Sequence, residues 1–129
     1  MEERPTIILV EDEDNIAIAI EILMERAGYD VVHVRDGAQA LPNIRAQSPA
    51  LVILDVTLPG LSGYEICQQM RLDPALVDIP VLIMSARASE PERRKGLAMG
   101  ADLFLTKPFS MDEMRASVTR LIEGGRHEN

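Results

Sequence analysis

The sequence has one cysteine, Cys67, so no intrachain disulfide framework is available and a reducing compartment, the cytoplasm, is the natural setting. No apolar run is long enough to span a bilayer as a helix. Met1-Glu2-Glu3-Arg4-Pro5 lacks the basic-then-apolar order of a secretory signal. Cations are scarce: 13 Lys and Arg stand against 21 Asp and Glu, a formal net charge of -8. Duplex binding by this domain is therefore not expected, because neutralising phosphates needs clustered cations. There is no internal repeat, low-complexity tract or linker. His33 and His127 have no ligand-spaced partner, and His33 is expected in a strand away from the site. What remains is 129 residues that are 47% hydrophobic, enough for one domain with a real core. We expect that domain over residues 1–125, with a frayed tail over 126–129.

Short apolar runs at 6–10, 31–34, 51–54, 81–84 and 103–105 alternate with longer amphipathic stretches. Several runs are continuous rather than alternating, as in strands covered on both faces. The first amphipathic stretch carries Ile16, Ile20, Leu23 and Ala27 on one stripe and stops at Gly28. Ser62 with Glu65, Ser89 with Glu92 and Ser110 with Glu113 fit the capping box, in which Ser bonds a free N–H and Glu returns the bond. Asp36 with Gln39 is a weaker version, and Pro42 falls in the first turns of the helix that follows. The last helix carries Met114, Val118 and Leu121 and ends at Gly124-Gly125. Five strand–helix units in strict alternation predict an α/β fold, a parallel sheet with helices on both faces. At this length the expected order is the doubly wound, flavodoxin-like 2-1-3-4-5.

Ligands of such sheets bind beyond the carboxyl ends of the strands. Those ends carry Glu11-Asp12-Glu13-Asp14, then Asp55, then Ser85-Ala86, then Thr106-Lys107-Pro108. Each is ordinary alone. Acidic residues before a helix are common caps, a strand-end Ser is unremarkable, and a lone Lys is usually solvated. Their joint placement on four strand ends carries the signal. Hard oxygen ligands suit Mg²⁺, which needs only one or two carboxylates. A carboxylate can attack phosphorus and hold an aspartyl phosphate. Phosphoryl transfer then requires positioning and charge neutralisation. On that chemistry Asp55 attacks, Glu11 and Asp12 hold the metal, and Lys107 and Ser85 grip the phosphoryl oxygens.

At Ile8-Leu9-Val10-Glu11-Asp12-Glu13, Leu54-Asp55-Val56-Thr57-Leu58-Pro59-Gly60, Pro80-Val81-Leu82-Ile83-Met84-Ser85-Ala86 and Gly100-Ala101-Asp102-Leu103-Phe104-Leu105-Thr106-Lys107-Pro108-Phe109 the sequence resembles the response-regulator receiver domain of two-component signalling. The resemblance runs from about Thr6 to Ile122. It implies a phosphorylation-activated switch rather than an enzyme, with Asp55 the phosphoacceptor. It implies Mg²⁺ held by Glu11 (through water), Asp12, Asp55 and the backbone carbonyl of Thr57. It assigns Ser85 and Phe104 as the switch pair, Lys107 as the phosphate-binding lysine, and a cis bond at Lys107–Pro108. It implies a histidine kinase or phosphotransfer protein as donor, and a downstream partner reading the face of helix four, strand five and helix five. Partner choice is expected on that face and on helix one. Met1 and the short tail point to a stand-alone, chemotaxis-regulator-like receiver.

Three other classes fit less well, one of them an inert interaction domain, for which the rim carboxylates would be idle. A phosphatase of the haloacid-dehalogenase type also uses a strand-end Asp, Mg²⁺ and a Lys. It needs a general acid two residues after the nucleophile, where this chain has Thr57. A nucleotide- or flavin-binding module needs a glycine-rich loop after strand one, where this chain has four acids that would repel phosphate.

Overall fold

The computed structural model describes residues 4–87 and 89–124. The expected tail at 126–129, His127 and Gly125 lie outside the described residues. The elements are β1 (Thr6–Val10), α1 (Asp14–Arg26), β2 (Asp30–Val34), α2 (Ala40–Gln47), β3 (Leu51–Asp55), α3 (Gly63–Leu72), β4 (Val81–Ser85), α4 (Glu90–Ala98), β5 (Leu103–Thr106) and α5 (Met111–Gly124). All strand pairs are parallel, in the order β2-β1-β3-β4-β5. The two central neighbours, β1 and β3, precede helices that cover opposite faces of the sheet. Their carboxyl ends therefore part around a crevice.

The strands alternate their residues between two cores. On one face Ile8, Leu54 and Ile83 pack with Ile44 of α2 and Ile66 and Met70 of α3. On the other, Leu9, Ile53 and Leu82 pack with Ile20 and Met24 of α1 and with Met114, Val118 and Leu121 of α5. The stripe on α1 differs by one step from the sequence expectation. Ala17, Ile20 and Met24 are buried, Ile16 and Leu23 flank them, and Ala27 is an exposed cap. Helical period alone cannot separate two stripes 100° apart when both are apolar. Gly28 follows with φ +101, a conformation that ends the helix without strain.

The capping boxes at Ser62/Glu65 and Ser110/Glu113 form in both directions. Ser89 accepts the N–H of Glu92, but the Glu92 carboxylate takes the Tyr64 hydroxyl at 2.7 Å instead of closing a box. Asp36 caps a single 3₁₀ turn, Gly37–Gln39, which leads into α2. Among the described residues, no helix is long and apolar enough to cross a membrane.

Candidate functional site

Parallel strands place their carboxyl ends on one rim, and here that rim gathers groups far apart in sequence. Asp55 closes β3 and is 7% exposed; Glu11 follows β1 directly and is fully buried. The Lys107 ammonium lies between them, 3.1 Å from Glu11 Oε1 and 3.2 Å from Asp55 Oδ2. Glu11 Oε2 accepts the N–H of Glu13 at 3.0 Å. Asp12, exposed, completes a group of three carboxylates whose oxygens lie within 4.8 Å of one another. Ser85, buried at the end of β4, accepts the N–H of Arg87 on its Oγ at 3.0 Å. The N–H of Lys107 donates to the Ser85 carbonyl at 2.7 Å, and the Lys107–Pro108 peptide is cis.

A cavity of about 210 Å³ opens here, lined by Asp12, Asp55, Val56, Thr57, Ser85 and Lys107 among others. Glu11 is not in its lining, although its carboxylate is paired with Lys107, which is. Phe104 does not line it either. It is half-buried on β5, with its ring over Gly96 of α4, where an added Cβ would lie 2.8 Å from the ring.

The charges explain the titration of the site. Burial, then the Asp55 charge, hold the Glu11 carboxyl above its ordinary value, against the opposing Glu13 N–H and Lys107. Burial pulls the Lys107 ammonium down. The hydrogen bonds and charges of Glu11 and Asp55 outweigh it, so the net displacement is upward. One ammonium between two carboxylates leaves net negative charge, with Asp12 adding to it. Three carboxylates in reach of one point form a hard-oxygen donor set suited to Mg²⁺. Asp55, Ser85 and Lys107 all line the same cavity.

Three features beside the site were not legible in sequence. A groove of about 470 Å³ shares Ala86 and Lys107 with the cavity and is walled by Ile16 and Ala19 of α1 with Phe109 and Met111. On the opposite side a recess of about 440 Å³ is lined by Tyr64, Arg87, Glu92 and Lys95. Burial and the Glu92 hydrogen bond push the Tyr64 hydroxyl up to about 12, and the same bond lowers Glu92. The third is His33. It lies in β2 as expected but not away from the site, for its Nε2 meets the backbone carbonyl of Glu11 at 2.7 Å. A strand residue two pairs short of the rim can still reach it with a long side chain.

Residues 7–119 match the family described as the response regulator receiver domain. The chain is 39% identical over 116 residues to the alkaline phosphatase synthesis transcriptional regulatory protein PhoP of Bacillus subtilis, covering 90% of this chain and 48% of that protein. It spans about half the length of the curated relatives it matches. Among solved structures it is similar to the signal receiver domain of a signal transduction histidine kinase from Syntrophus aciditrophicus, with TM-score 0.87, 31% identity, and 97% and 95% of the two chains covered. It is also similar to the receiver domain of a sensor histidine kinase from Pseudomonas aeruginosa, solved with a magnesium ion coordinated in its active site cleft (TM-score 0.86, 30% identity, 94% and 99% covered).

Proposed function

The chain belongs to the response regulator receiver domain family, and from that premise we propose that it is a two-component switch in which Asp55 accepts a phosphoryl group with the help of Mg²⁺. The observation that carries this reading is the convergence of Asp55, Asp12 and the Lys107 ammonium on one strand-end cavity, with the buried Glu11 carboxylate grouped with the two acids and paired to the same ammonium. The receiver unit is residues 1–125 and its setting is the cytoplasm.

In the proposed reaction an Asp55 carboxylate oxygen forms a bond to phosphorus as the bond from phosphorus to the donor breaks. The donor, the imidazole of a histidine kinase or phosphotransfer protein, leaves with that electron pair. Lys107 turns from Asp55 to the new phosphoryl oxygens. The Ser85 oxygen already accepts a hydrogen bond from the Arg87 N–H, so its own O–H is free to donate to the phosphoryl group. Asp12 and Asp55 would hold Mg²⁺ directly, with the Thr57 carbonyl, and Glu11 through water. When bound, the ion offsets the charge that gathers on the transferred oxygens. The chain turns over no separate substrate; it assists only its own phosphorylation and dephosphorylation.

The donor is proposed to dock over the apolar groove between α1 and the segment after β5, where Met111 is 41% exposed. The signal leaves through Ser85 and Phe104 to the α4–β5–α5 face, which a protein partner reads. Intact mass after incubation with Mg²⁺ and a small phosphodonor tests the reading. An acid-stable, base-labile gain of a single phosphoryl group, absent in Asp55→Asn and in chelator, is expected. Steady release of phosphate from phosphomonoesters without that adduct would overturn it in favour of a phosphatase.

A further inference from the structure

We infer that His33 is a positioning residue for the metal-binding pair, acting through the peptide that joins Glu11 to Asp12. This rests on the Mg²⁺ site proposed above. β2 is an edge strand, and its last register pair with β1 is Val10 with Val34. The N–H of Glu11 still finds a strand partner, the Val34 carbonyl at 3.0 Å. The carbonyl of Glu11 lies past the end of the ladder, and the His33 ring takes it at 2.7 Å. A carbonyl can only accept, so Nε2 carries the proton. The other ring nitrogen, Nδ1, faces Glu21 of α1, 3.5 Å from its Oε1. The imidazole, 16% exposed, thus stands wedged between the end of β1 and α1.

The Glu11 carbonyl and the Asp12 N–H belong to one rigid plane. Turning that plane swings the two side chains relative to each other. Holding its oxygen removes the turn. The need is electrostatic, because the Glu11, Asp12 and Asp55 carboxylates are held within 4.8 Å and repel one another. Lys107 and the Glu13 N–H hold the Glu11 side chain, and Val34 holds its N–H. Among the described residues, His33 is what holds the carbonyl. Partners that orient ligands from outside typically change metal affinity by 10–100-fold when removed.

The test is a Mg²⁺ titration of the full chain, followed by the amide NMR shifts of Asp12 and Asp55. His33→Phe keeps bulk and loses the donor; His33→Gln keeps an N–H at similar reach. The dissociation constant is expected to rise about tenfold in His33→Phe and to stay near wild type in His33→Gln. Urea midpoints taken alongside separate the roles, since a purely structural histidine would move the midpoint and leave the dissociation constant in place. Wild-type Mg²⁺ affinity in His33→Phe, or equal weakness in the two variants, would overturn the inference. So would a wild-type imidazole ¹⁵N spectrum showing Nε2 without a proton, a result that needs no variant to fold. If wild type itself showed no Mg²⁺-dependent shift, the site reading would fall and this inference with it, an outcome distinct from wild type binding and His33→Phe binding equally.

Discussion

β4 and β5 lie side by side in register, Leu82 against Leu103 and Ser85 against Thr106, yet their surroundings differ. Every residue of β4 is buried, and every residue of β5 is half-buried. The helices repeat the contrast. α3 buries Gly63, Tyr64, Ile66, Cys67 and Met70, whereas α4 buries Gly96 alone. Asp55 and Ser85 sit at the ends of the tightly packed strands, while Phe104 sits on the loose one. Phosphoryl chemistry needs fixed geometry, and a close-packed interior supplies it. A switch needs an element with a second arrangement within reach, and such elements come from the weakly packed part of a fold.

The largest effect that would sharpen this contrast comes from truncating register partners. Leu82→Ala should lower unfolding stability by about 4 kcal/mol and Leu103→Ala by about 2 kcal/mol, read from urea melts. Equal losses would erase the distinction between the strands. Next is Lys107→Met, which leaves two carboxylates facing each other without a counter-charge. It should cost about 3 kcal/mol in chelator and less in saturating Mg²⁺, because the ion supplies the missing charge. An unchanged loss would mean that ion and ammonium do not share those carboxylates.

A third effect is in pH. Folded Glu11 keeps its proton to higher pH than it does in the unfolded chain, where its ordinary value is 4.5. Its favourable contribution is therefore complete below 4.5 and is lost as pH rises through the folded value. Wild type minus Glu11→Gln should show stability falling across that interval; a flat difference would place Glu11 in a water-like setting. Lys107 adds a second loss at alkaline pH, since its folded value lies above 10.5.

The smallest effect probes the loose half directly. In Gly96→Ala a helix gain of about 1 kcal/mol opposes the new Cβ, 2.8 Å from the Phe104 ring. Net stability should move by less than about 1 kcal/mol while the Phe104 ring resonances shift. Unmoved resonances would show α4 yielding in place of the ring.

The strands were legible because β-branched and leucine runs stand between capping signals; their order was not in that pattern and came from the doubly wound class expected for a chain of this length. The rim residues were legible for a related reason. A parallel sheet delivers every strand's last residue to the same edge, so Asp55, Ser85 and Lys107 could be placed without knowing their distances. What escaped depended on side chains with two possible partners. Glu92 fits a box with Ser89, but the buried Tyr64 hydroxyl needs an acceptor and claims it. His33 looked remote from the site because strand period says which face a side chain takes and nothing about how far it reaches along that face. The α1 stripe slipped by one position because the neighbours Leu23 and Met24 are both apolar.

The contact between Lys107 and Glu11 joins residues 96 positions apart. During synthesis, a chain emerging from the ribosome shows its acidic cluster once β3 has appeared and obtains the matching ammonium only after β5. Unfinished copies thus carry an acidic cluster without its counter-charge, and truncation anywhere before residue 107 yields a product that lacks the ammonium paired to Glu11 and Asp55.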